Sequence, residues 1–369
     1  MMNRNRTLDR LRAFAMLWTV FIHVLYFGEF FSSSDINALK SWLLLEMPLI
    51  FFIMGAGNAL SQEQNYRRFV LKRWGKMMIP YWIYAAICVV IILVDRAQTD
   101  AITGSMIFET ALSWAIPLDR QISHLRYLTW AIWFVPVYLC MVLVMPLMKK
   151  MVESEWRLCW SAVLGFVYLV SIILGNDLLQ KVAFYSLFVY AGHYFPQWQD
   201  ELGDQPLRGF LWAFVVMTLV ILLGLMYSGV DMDMQFRKFP PDLLFLLFSV
   251  GTLSGVLLLT PHLDAFFAVI ERCKPLRFMI DLYAKRSLTV FLYQPIFFLW
   301  AVPLVNKLIV GPNFGPELAR VALCLVMAIP ACAIPAWLLG KAEDCFRRPL
   351  KSKRQERKYD VSCNDERNE

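Results

Sequence analysis

The sequence predicts an all-α, polytopic integral membrane bundle of about ten transmembrane helices with both termini in the cytoplasm. Three observations carry that expectation. Of 369 residues, 59% are hydrophobic and 18% charged, and the mean hydropathy is +0.52, too apolar a balance for a water-soluble domain. Apolar runs long enough to cross about 30 Å of hydrocarbon as helix recur along the whole chain, which selects a helical bundle over a barrel. With ten such runs laid out and the amino terminus inside, 27 of the 36 lysines and arginines fall on inner segments, the asymmetry that sets membrane orientation. The formal charge of +7 is then a set of membrane-side anchors, and no nucleic-acid partner is needed to explain it.

The expected spans are 11–31, 42–59, 77–93, 131–148, 158–174, 182–195, 210–226, 243–259, 288–304 and 321–339. The first follows a basic stretch, as a signal peptide does, but it is too long for one and lacks a small-residue cleavage site, so it is kept as a membrane helix. The sixth is short and rich in aromatics. Segment 259–283 has room for an amphipathic interfacial helix with Phe266, Phe267 and Ile270 on one side. A single membrane domain over 1–340 is followed by a charged, apolar-poor tail over 341–369, expected to be loose. There is no internal repeat by eye.

Cys88, Cys140, Cys159, Cys324 and Cys332 fall within spans, and Cys273, Cys345 and Cys363 on the inner side, so no pair stands in the outer loops for a disulfide. The histidines are too scattered for a metal site, with neither HxxH nor HExxH spacing. His124 and His262 are placed in loops, and His193 near the inner interface.

Ionisable side chains within spans are expensive to place there and mark candidate sites. His23 lies 11 residues after Arg12, about three helical turns and roughly 16 Å of rise, so the two share a helix face. A neutral imidazole at that depth can take a proton from a hydroxyl, and Arg12 can hold an anion at the inner rim. The same residues also suit a second reading, Arg12 as an inner anchor and His23 as an interhelical hydrogen bonder. Glu46, beside Met47 and Pro48 at the outer end of the second span, reads as a partly solvated carboxylate.

The opening Leu8-Asp9-Arg10-Leu11-Arg12 followed by His23 resembles the signature of the acyltransferase-3 family, membrane enzymes that transfer acyl groups to sugars and related hydroxyl compounds. Further matches come in the family's order. Phe51-Phe52-Ile53-Met54-Gly55 resembles the FFV-type segment of the second helix, with Gly55-Ala56 where Ser-Gly is frequent. Arg73-x-x-Lys76-x-x-Ile79-Pro80 resembles the basic run into the third helix, with Lys76 where arginine is usual. Ile132-Trp133-Phe134 with Tyr138 is similar to the LWFL segment, and Arg286 to Pro295 to the late Ser-Leu-x-x-Tyr-Leu-x-His-x-Pro stretch. Gln294 and Ala131 stand where histidines are common, so the base role falls on His23. The resemblance covers about four-fifths of the chain and is closest to short members, including glucan succinyltransferases, that lack an extracytoplasmic hydrolase-like domain.

The resemblance implies an enzyme of a bacterial inner membrane with no permanently bound cofactor. Its donor would be a cytoplasmic acyl-coenzyme A, acetyl- or succinyl-, and its partners that donor, membrane lipids and a glycan acceptor. His23 and Arg12 would be catalytic. Arg67, Arg68, Arg73 and Lys76 would meet the donor phosphates, together with Lys72 on the same inner loop. Trp133, Tyr138, Tyr293 and Gln294 would meet substrate. Two other classes stay open. A sugar or lipid-linked sugar carrier would use helices broken at Pro136, Pro295, Pro330 and Pro335. A non-catalytic scaffold would account for Gln294 and Ala131.

Overall fold

The computed structural model describes residues 5–31, 39–61, 65–98, 103–117, 125–202, 204–311 and 313–341. His124, Cys345, Cys363 and the tail from 342 onward lie outside them. The described residues are mostly helical and form no strand. Nine helical stretches among them are long and apolar enough to cross a membrane, two of which, Leu39–Ala59 and Tyr127–Glu153, run through short turns. In chain order the helices are α1 (Arg6–Phe27), α2 (Glu46–Ala59), α3 (Tyr66–Arg96), α4 (Gly104–Ala115), α5 (Arg126–Trp130), α6 (Phe134–Glu153), α7 (Arg157–Leu174), α8 (Asp177–Gly192), α9 (Phe195–Glu201), α10 (Gln205–Tyr227), α11 (Met234–Arg237), α12 (Leu243–Ile270), α13 (Lys274–Lys285), α14 (Ser287–Leu308) and α15 (Phe314–Leu338).

The expected sixth span is α8, which at 16 residues is not among the nine. Its contacts show that it nevertheless runs the same course as α2. At one end of the bundle Lys181 of α8 lies over the rings of Trp133 and Phe239, and the neighbouring Lys238 meets Glu46, the first residue of α2. At the other end His193, just past α8, meets Asn58, next to the last residue of α2. Sixteen residues of helix rise about 24 Å. Small residues let the two backbones close up: a Cβ on Gly55 would run into the carbonyl of Val189, and one on Gly192 into that of Phe52. Such close approach is how helices associate where lipid supplies no hydrophobic drive. With α8 counted, ten helical stretches of the described residues run from end to end of the bundle, and the described chain begins and ends at one end of it, Arg6 paired to Asp281 and Gly340 against the side chain of Arg286. This end also carries Arg12, Arg73 and Lys149 and is called the basic end below.

Several boundaries differ from expectation. α3 starts at Tyr66, eleven residues before the apolar run, because Asn65 caps it by accepting a hydrogen bond from the amide of Arg68 (3.0 Å). Arg67 to Lys76 are therefore on a helix and not in a loop. The fourth span is interrupted: α5 ends at Trp130, Ala131 to Trp133 form turns, and α6 begins two residues before Pro136, whose ring nitrogen cannot bond the carbonyl of Ile132. Pro295, Pro330 and Pro335, in contrast, lie inside continuous helices. α12 runs unbroken to Ile270, so Phe266, Phe267 and His262 belong to it, and the amphipathic helix is the next one, α13. It packs on α1 and buries Ile280, Tyr283 and Ala284. Helix α4 was not expected; it lies against α3, where Tyr81 and Trp82 donate to the carbonyls of Trp114 and Ala115.

Candidate active site

Two cavities meet at the middle of the bundle. The larger, about 560 Å³, opens at the basic end between α1, α2, α3 and α14. Its α3 wall is Phe69, Lys72, Arg73 and Lys76, spaced i, i+3, i+4, i+7 and so on one helix face. Arg12 faces them from α1, held at 3.0 Å by Asp9, and Lys285 stands at the end of α13. Deeper in, the lining turns apolar and aromatic, with Met16, Ile50, Phe134, Tyr138 and Phe291. The cavity is thus cationic at its mouth and apolar at its depth.

The smaller cavity, about 20 Å³, contains His23. Phe291 borders both cavities, and its ring lies 5.8 Å from the imidazole and 5.1 Å from Phe134. His23 Nδ1 lies 2.6 Å from Oε1 of Gln294, which is wholly buried on α14. An amide oxygen only accepts, so Nδ1 carries the proton and Nε2 keeps its lone pair. Ala131, the other position where a histidine is common in the resembled family, borders the same small cavity. Both substitutions thus flank His23.

Glu46 also borders this cavity and differs from its expected state. It is 2% exposed and not partly solvated, because Lys238 folds over it and donates to Oε1 at 2.5 Å. Removing one partner of such a buried pair costs about 3–5 kcal/mol. The partners are 192 residues apart, and no local pattern links them. Lys181 is the second cation that sequence reasoning passed over; it is buried over Trp133 and Phe239 and paired to Asp177.

The remaining expected residues separate. Trp133 lines the small cavity and Tyr138 the large one. Tyr293 points to Tyr84 on α3, 5.5 Å between rings, and lines neither. Arg67 and Arg68 are exposed on the first turn of α3 and also line neither. His193 is buried and not interfacial: its Nδ1 donates to Val189 at 2.8 Å, and Nε2 lies 3.0 Å from the amide nitrogen of Asn58. Nδ1 is thereby committed within α8, and Nε2 to the α2–α8 contact.

At the basic end a network of ion pairs fixes the helices that frame the large cavity. Arg6 meets Glu271 and Asp281, and Arg10 meets Glu271 and Asp264, so α1, α12 and α13 are tied together. The guanidinium of Arg10, and after it that of Arg6, hold the Glu271 carboxyl below its usual range.

No characterised protein and no solved structure matches the chain. A family model does, that of an acyltransferase domain, and it extends over residues 5–337, from the cap of α1 to the last turn of α15. The match takes in every helix that lines either cavity, and the chain belongs to the acyltransferase-3 family of membrane acyltransferases.

Proposed function

We propose that this chain is a bacterial inner-membrane O-acyltransferase, with both termini cytoplasmic, that moves an acyl group from acyl-coenzyme A to a hydroxyl of a cell-envelope glycan. The observation that carries the reading is the placement of His23: its Nδ1 is bound by Gln294, and its ring touches Phe291, the wall of the cation-mouthed cavity. Lys72, Arg73, Lys76 and Arg12 suit the phosphates of the donor, and the apolar depth suits its pantetheine arm and acyl group. Arg12 lies about 16 Å of helix rise from His23 and so orients the donor at its phosphate end. The basic end is then the cytoplasmic end.

In the reaction, His23 Nε2 removes the proton of the acceptor hydroxyl as its oxygen attacks the thioester carbonyl carbon. Attack gives a tetrahedral oxyanion, while Gln294, which lines neither cavity, holds the ring from its Nδ1 side. Collapse breaks the carbon–sulfur bond. The departing thiolate takes the proton back from the imidazolium, which restores the neutral base.

The test is coenzyme A release by purified protein given acetyl- or succinyl-coenzyme A with a glycan pool. Release that needs the acceptor and falls at least about 100-fold in His23→Ala is expected. Undiminished turnover in that variant removes His23 from the chemistry, and release with no dependence on any glycan overturns the transferase reading.

A further inference from the structure

The buried pair Glu46–Lys238 holds more charge than packing needs. Lys238 meets the carboxylate through Oε1, and Oε2 is buried without a hydrogen-bond partner among the described residues. Among the described residues Tyr26 and Tyr185 lie within the field of Glu46, yet their buried hydroxyls also have no hydrogen-bond partner. A buried carboxylate oxygen calls for a donor. With the charge already balanced by Lys238, a neutral O–H group satisfies it better than a second cation.

Glu46 and His23 border the same cavity of about 20 Å³. The proton on Nδ1 is committed to Gln294, so His23 Nε2, like Glu46 Oε2, can only accept. Two residues that each carry an acceptor-only atom thus border one small cavity, and each such atom calls for a donor hydrogen. The volume admits hydroxyl-sized groups and not a sugar ring, so only the hydroxyl-bearing edge of an acceptor enters.

We propose that Glu46, anchored by Lys238, binds a second hydroxyl of the acceptor while His23 activates the first, so that the chain acylates polyols presenting neighbouring hydroxyls. This deepens the acyltransferase reading and rests on it. Lys238 acts as a positioning residue, fixing the carboxylate without touching the acceptor. Among the other charged groups near this end, Lys181 is paired to Asp177 and turned to the rings of Trp133 and Phe239, Lys40 lies over the ring of Tyr26, and Arg237 is paired to Asp242.

The experiment compares the wild type, Glu46→Gln, and a paired variant, Glu46→Leu with Lys238→Met, on coenzyme A release with acetyl-coenzyme A and the glycan pool. Replacing a buried ion pair by apolar residues of similar volume is often neutral for folding, so the paired variant guards against misfolding of the single one. The expected result is an acceptor KM raised at least about tenfold in both variants, with the KM for acetyl-coenzyme A within about twofold of wild type. A glycan pool whose vicinal diols have been cleaved by periodate and then reduced is expected to lose acceptor activity with the wild type. An unchanged acceptor KM, an equal rise in both KM values, loss of folding in both variants, or full activity of the cleaved pool would each overturn the proposal. Failure of the wild type to release coenzyme A with any glycan would instead overturn the acyltransferase reading beneath it.

Discussion

His23 is useful as a base only while one ring nitrogen is unprotonated and aimed, and Gln294 does the aiming by accepting from Nδ1 at 2.6 Å. Glutamine cannot titrate, so it orients the ring without offering the negative charge that would stabilise the imidazolium. Gln294→Leu is expected to lower kcat by about 10- to 100-fold with little change in the KM for acyl-coenzyme A, since the proposed phosphate site at Arg12 lies about 16 Å of helix rise away; kinetics at saturating acceptor would check it. Equal losses in both parameters would show that Gln294 merely supports the fold. His23 and Gln294 were each singled out by a local pattern of the family, but their contact across α1 and α14 was not legible, since 271 residues separate them. Glu46 was found but misjudged, and Lys238 was not found at all. A partner 192 residues away leaves no trace in spacing, and a carboxylate at a helix start looks solvated until the covering segment is seen.

At the scale of the element, periodicity decides which cations line the large cavity. Phe69, Lys72, Arg73 and Lys76 share one face of α3 and line the cavity, whereas Arg67 and Arg68 are exposed beside them. Replacing Lys72, Arg73 and Lys76 by glutamine is expected to raise the KM for acyl-coenzyme A by at least about tenfold, and replacing Arg67 and Arg68 to leave it within about twofold. That face was readable in principle, had the helix been started at the Asn65 cap and not at the first apolar run. Helix ends at the basic end depend on the network around Glu271. Because its pKa is lowered in the folded state, its contribution to stability is present above the ordinary carboxylate value of 4.5 and is lost as pH falls through the lowered one. Thermal unfolding of Glu271→Gln in detergent is therefore expected to show lower stability than wild type near neutrality and a shallower loss below about pH 4.5. Parallel curves would remove this group from the acid limb.

Across the whole molecule, hydropathy located the crossings because lipid-facing helices such as α7 and α10 are apolar on nearly every side, only 11% and 17% of their span windows being buried within the protein. α8 was the weak case for the opposite reason: it is surrounded by protein, so it carries Gln180, Lys181 and Ser186 and needs no long apolar run. Its course parallel to α2 makes the count ten and brings the first and last described residues to the same end. A reporter fused after the last residue, active only in the cytoplasm, is expected to be active; activity only of an outward-facing reporter would invert the orientation. The division of the core into a cation-mouthed cavity and a small His23 cavity, joined at Phe291, was not legible, since it arises from eight helices drawn from both halves of the chain. What that division is proposed to do is bring a thioester and a hydroxyl to His23 from opposite sides. The most direct test is transfer of label from acyl-coenzyme A, labelled in its acyl group, onto glycan by wild type and His23→Ala present in equal amounts in membranes. Labelled ester formed by the wild type and absent from the variant is the expected result. Equal labelling by both would contradict the assignment of His23 as the base.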